Sequence, residues 1–120
     1  MARGSLFVGW GPIVPGREKV APKVLHEAME YLQRLQAQGV LESIEVAILE
    51  PHGGELGGFV LIKGEKDAVA RLRVDDEFVK LIVGVQLVHT NVGVVGAYTG
   101  LELQTHLGAW DQQEARLLGH

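Results

Sequence analysis

Five polar side chains have types and spacings that suit acid–base chemistry: His89, Asn91, Glu45, Lys63 and Ser43. Imidazole is the side chain whose ordinary titration range spans neutrality, and a carboxylate beside it makes a general base. Residues 87–97 (LVHTNVGVVGA) read as a β-strand, which puts His89 and Asn91 on one face and Thr90 on the other. Glu45 and Lys63 fall on two stretches that read as the arms of one hairpin. With the loop centred near Gly53, Ser43 faces Lys63, and Glu45 is its diagonal neighbour, within reach of a long side chain. The structural alternative is a Glu45–Lys63 ion pair and a histidine that is merely hydrogen-bonded or solvated.

Other chemistries lack their residues. His52-Gly53-Gly54 has the composition of an esterase oxyanion loop, but the serines are Ser5 and Ser43, and no Gly-x-Ser-x-Gly elbow exists. Gly9-x-Gly11 follows a strand pattern without the third glycine of a dinucleotide fingerprint. The histidines, at 26, 52, 89, 106 and 120, form no i,i+4 or His-x-His pair, so no metal site is expected. There is no cysteine, which removes thiolate nucleophiles and thiolate zinc sites and suits a reducing cytoplasm. No cofactor is expected; a lone axial histidine leaves haem open.

The elements that must position these residues centre on 40–64. Ile44, Val46 and Ile48 alternate along the first arm, and Val60 and Ile62 along the second, with Pro51-His52-Gly53-Gly54 supplying the turn. The opposite faces carry Ala47, Leu49, Phe59 and Leu61, so both sides of the hairpin need cover. Upstream, Leu6 to Trp10 reads as a first strand. Residues 17–38 follow as a helix whose regular part starts near Lys19 or Val20, because Pro22 belongs in a first turn. Gly39 suits its C-terminal cap. Downstream, 65–72 and 74–85 read as two helical pieces, the second capped by Asp75 or Asp76. A strand at 87–97 follows, then a weaker helix at about 101–118 on which Trp110 and Leu107 are expected to dock against the body of its own subunit or else across a dimer, a disordered tail being the competing reading. The order β-α-β-β-α-β is the ferredoxin-like plan, α+β with a four-stranded antiparallel sheet. It makes one domain over residues 1–120, with a core at about 5–97 and a C-terminal helical arm.

A net charge of −4 gives no basic footprint for nucleic acid. No apolar run reaches the ~20 residues of a membrane span. A cytoplasmic protein with no nucleic-acid or membrane partner is the expectation.

The strand ending in Trp10, the Val14-Pro15-Gly16-Arg17-Glu18 lead into a long helix, the central hairpin and the two-part second helix together resemble the dimeric α+β barrel superfamily. Within it the chain is most similar to the antibiotic-biosynthesis-monooxygenase-like group, over about residues 5–97. The resemblance implies a homodimer in which the face bearing Phe59, Leu61, Ala47 and Leu49 is covered by a second sheet. It further implies a cofactor-independent monooxygenase-like or isomerase-like enzyme acting on a small hydrophobic ligand, or else a non-catalytic dimeric module. In the enzyme reading, Trp10, Phe59 and Leu61 shape the pocket with Ser43 and Lys63, while His89, Asn91 and Glu45 act on the ligand. The haem-degrading branch carries an Asn on its first strand; Gly9 and Trp10 stand there here, a departure from that branch.

Overall fold

The structure is a computed structural model that describes residues 2–119; Met1 and His120 lie outside them. The elements run β1 (Arg3–Trp10), α1 (Ala21–Ala37), β2 (Leu41–Ile48), β3 (Gly58–Glu65), α2 (Lys66–Leu72), α3 (Asp76–Val88), β4 (Gly93–Ala97) and α4 (Gly100–Leu118). The strands form one antiparallel sheet in the order β2-β3-β1-β4. This is the ferredoxin-like plan expected from the element order.

Local chemistry explains most boundaries. Pro22 sits in the first turn of α1, where its missing N–H costs nothing, and Gly39 takes a positive φ of 80° just past the helix end. The Glu65 carboxylate accepts the Ala68 N–H at 2.8 Å and caps α2. Asp75 caps α3 by accepting the Phe78 N–H at 3.1 Å, and the same oxygen accepts the Tyr31 hydroxyl at 2.8 Å. One carboxylate thus starts α3 and fastens it to α1.

The core lies between one sheet face and the helices. Leu6, Val8, Trp10, Val60 and Ile62 meet Tyr31, Leu32, Val69, Leu72, Phe78 and Val85. Ile44 and Val46 join them half-buried, but Ile48, expected on the same covered stripe, is 72% exposed because no helix reaches the end of β2.

Among the described residues the other sheet face has no cover beyond Ser5, which is buried beside Thr99. The strand registers set three rows across it: Ser43–Lys63–Ser5–Ala97, Glu45–Leu61–Phe7–Val95 and Ala47–Phe59–Gly9–Gly93. Phe7 and Phe59 stack at 5.4 Å between ring centroids. The expected Ser43–Lys63 pairing and the diagonal placing of Glu45 are both present, but among the described residues Glu45 and Lys63 form no ion pair.

Two expectations need correction. The stretch 87–97 is not one strand: α3 continues through Val88, His89 follows as its C-terminal cap, and β4 begins only at Gly93. Phe78, Leu81, Ile82, Val85 and Val88 continue the helical period, and burial of Val85 and Val88 outweighs the β-branched character of the segment. The arm, for its part, is the expected helix, 19 residues long, but its apolar residues do not dock on their own subunit. Trp110 is 63% exposed, Leu107 is 53% exposed, and no α4 residue is buried. The radius of gyration, 16.6 Å against about 13–14 Å for a compact chain of this length, reflects its projection.

Candidate functional site

A cavity of about 370 Å³ opens at the end of the sheet where β1 and β2 finish and β3 begins. Its floor is Trp10, the last residue of β1. Ala21, Val24 and Leu25 of α1 form one wall, Val85 of α3 and its cap His89 the other, and Ile48 stands at the rim. The exposure of Ile48 thus has a place in the architecture: it continues the core stripe past the helices and into the cavity mouth.

The loop from β1 to α1 is zipped to the loop from α3 to β4. Gly11 N–H donates to Thr90 O at 2.7 Å, Thr90 N–H to Pro12 O at 2.9 Å, and Val14 N–H to Val88 O at 2.8 Å. Arg17 adds a guanidinium bond to the Leu87 carbonyl. Glycine is required at position 11, since a Cβ there would lie 2.7 Å from Thr90 O and 2.9 Å from Glu55 O. Gly58 meets a similar demand from the other side, because a Cβ would fall 2.7 Å from the Trp10 ring and 2.8 Å from Ala47 O. The indole packs against the backbone of β3 at Gly58.

These constraints fix His89. Its Nδ1 lies 2.9 Å from the Gly11 carbonyl oxygen. A carbonyl can only accept, so Nδ1 carries a proton, and in the neutral form of the ring the lone pair is on Nε2. Among the described residues Nε2 has no hydrogen-bond partner, and since no unpartnered side-chain nitrogen or oxygen is buried there, this atom is accessible to solvent. The Trp10 and His89 rings sit 5.9 Å apart. His89 is the one lining residue whose side chain carries an acid–base group.

The residues singled out from sequence divide between the two faces of the sheet. Trp10 and His89 meet at the cavity. Asn91 follows in the loop, exposed, with a left-handed φ of 53°, and it is not part of the lining; it shares no strand face with His89. Ser43, Glu45, Phe59, Leu61 and Lys63 all occupy the uncovered sheet face, so Glu45 is on the far side of the sheet from His89. The lining residues Val24, Leu25 and Val85 carry no chemical signal in sequence beyond helix periodicity. Ile13 and Pro12 fall in a loop whose path depends on the α3 contact. Among the described residues no cluster of His, Asp and Glu is arranged to hold a metal ion, and no helix is long and apolar enough to cross a membrane.

No protein-family model matches the chain, and no curated protein matches it. Solved structures do. A dimeric protein of unknown function and ferredoxin-like fold from Bacteroides fragilis is 19% identical, with a TM-score of 0.57 over 79% of this chain and 94% of its own. A dimeric ferredoxin-like protein of unknown function from Jannaschia is 17% identical, with a TM-score of 0.62 over 82% of this chain and all of its own. SnoaB, a cofactor-independent oxygenase from Streptomyces nogalater, is 15% identical, with a TM-score of 0.56 over 83% of this chain and 98% of its own. At these identities the likeness establishes the fold: this chain has the ferredoxin-like α+β architecture that dimeric proteins and a cofactor-independent oxygenase also use, in keeping with the resemblance to the antibiotic-biosynthesis-monooxygenase-like group.

Proposed function

We propose that this chain is one half of a homodimer in which each copy binds a compact, largely apolar small molecule in the Trp10–His89 cavity. His89 is its base, in chemistry of the cofactor-independent monooxygenase or isomerase kind. The single observation that carries this reading is an apolar cavity of ligand size whose one titratable side chain has its tautomer set by a backbone carbonyl. A volume of about 370 Å³ lies in the range of small-molecule sites, about 300–1,000 Å³. A free Nε2 lone pair in an apolar surround suits removal of a proton from a weakly acidic hydroxyl or activated C–H, and Trp10 offers a flat surface for an aromatic ring. The fold shared with an oxygenase that uses no cofactor supports this reading. The uncovered sheet face and the dimeric neighbours support the homodimer, with Phe59 and Leu61 as interface residues and Ser43, Glu45 and Lys63 beside them.

The test is a panel of hydroxylated aromatic compounds, read by calorimetric binding and by oxygen uptake. Leu25→Trp, which fills the cavity from α1, should abolish binding while the protein stays folded. His89→Ala should bind within about tenfold of the parent and lose about 10²–10⁴-fold in turnover. Undiminished turnover in His89→Ala removes it from the mechanism. Binding that survives Leu25→Trp moves the ligand elsewhere. A parent that binds without turnover, with binding lost in Leu25→Trp, is the non-catalytic module.

A further inference from the structure

We infer that α4 is an exchange arm: its apolar stripe lies in the groove between α3 and β4 of a second copy of this chain. The inference rests on the homodimer proposed above.

The arm carries an unmet demand for burial. Leu103, Leu107, Trp110 and Leu117 recur at spacings of four, three and seven and so share one face of the helix. They are 41–65% exposed. An isolated helix of this length is marginal in water, and the contacts that hold it are confined to its first turns. There Tyr98 stacks on His106 at 3.9 Å, and Lys66 lies 4.0 Å from Glu102. The arm is about 28 Å long at 1.5 Å per residue, so its distal half stands clear of these anchors.

A matching surface exists on the same chain. Val79 and Val83, one turn apart on α3, are 45% and 48% exposed. With Ile82 and Val94 they line a groove of about 340 Å³ along β4, which is the sheet edge. Charge favours the pairing. Asp111 and Glu114 lie on the distal arm, Arg73 lines the groove and Lys80 stands on α3, and among the described residues none of the four is in an ion pair.

The occupant is a second copy rather than an unrelated partner for two reasons. The arm springs from the rim of the uncovered sheet face, where Thr99 Oγ1 and Ser5 Oγ are 2.7 Å apart, so it is continuous with the dimer surface. The exposed stripe amounts to about 500 Å² of apolar side chain per arm. A reciprocal pair reaches about 1,000 Å² before the groove side is added, which brings it into the ~1,200–2,000 Å² range of stable interfaces.

The cysteine-free sequence makes the test direct. Gln86→Cys marks the groove and Gln113→Cys marks the arm, each as the only thiol of its chain. Mixed and treated with a short bis-maleimide, the two variants should give a covalent heterodimer, whereas each alone should not cross-link. Trp110→Ala should weaken the dimer at least tenfold in sedimentation. Cross-linking of Gln113→Cys with itself would show arm-to-arm pairing and overturn the groove. An internal cross-link in the double variant would show the arm folding back about Gly100, and would also overturn it. A dimer by sedimentation with no cross-link would sink the arm inference and leave the homodimer standing. A monomer would sink both.

Discussion

Leu61→Glu is the most decisive perturbation of the uncovered sheet face. Leu61 sits in the middle row of that face, with Phe7 on one side and Glu45 directly opposite on β2. In the homodimer the substitution loses the burial of a leucine side chain, about 2 kcal/mol, and buries a charge in an apolar contact; the Glu45 carboxylate opposite belongs to the same subunit and repels it in monomer and dimer alike. A two-fold interface counts the lost burial twice, so association should weaken by about 4 kcal/mol or more, at least about 10³-fold in Kd. The monomer should still fold, because Leu61 points away from the core beneath Val60 and Ile62. Sedimentation velocity across a concentration series measures the change, with circular dichroism confirming the fold. Leu61→Lys is the internal control. It faces Glu45 with opposite charge and should dimerise about tenfold or more better than the Glu variant. A Kd within tenfold of the parent for Leu61→Glu would refute the reasoning, since it would place this residue outside any interface.

The Tyr31–Asp75 bond gives stability a pH profile. Desolvation first, and then the bond to Asp75, raise the Tyr31 pKa, while that bond and the Phe78 N–H lower the Asp75 pKa. The Asp75 contribution is present above the ordinary aspartate value near ~3.9 and is lost as pH falls through its lower folded value. The Tyr31 contribution is present below ~10 and is lost as pH rises beyond it. Tyr31→Phe should therefore lower Tm between these limits and flatten both flanks of a Tm-against-pH curve; unchanged flanks would show that the bond contributes nothing. Gly58→Ala should cost about 1–3 kcal/mol by driving a methyl against the Trp10 ring, and should weaken ligand binding as the indole tilts. Calorimetric unfolding that matches the parent would contradict the packing described for β3.

How much of this was legible in the sequence depended on the range of the interactions involved. The hairpin was readable because alternation and turn residues are local; Ser43 opposite Lys63 follows from loop length alone. Capping of α3 was readable for the same reason as far as Asp75 or Asp76, and Asp75 is the cap. The end of α3 was not. Residues 87–97 contain five valines or leucines, two glycines and a threonine, and local propensity assigns them to a strand. What decides otherwise is the burial of Val85 and Val88 under the sheet, a tertiary fact. That error carried Asn91 and Glu45 into the candidate site, since a strand through His89 would have set them beside it.

The cavity was the least legible feature, although its two most informative residues, Trp10 and His89, were both singled out. They are 79 positions apart, and what joins them is a carbonyl. Any residue can supply a carbonyl, so the Gly11 acceptor leaves no mark of its own in the sequence. The mark it does leave is indirect. Gly11 must lack a Cβ for the α3–β4 loop to approach, and that approach brings the imidazole within 2.9 Å of the oxygen. The glycine read as a failed dinucleotide motif is therefore better understood as the position that orients a histidine. The uncovered sheet face and the projecting arm pose the complementary case: their apolar residues are plain in the sequence, but the surface that buries them belongs to a second copy in the arrangement proposed here. A pattern of unmatched apolar residues in one chain then becomes the positive sign of an assembly.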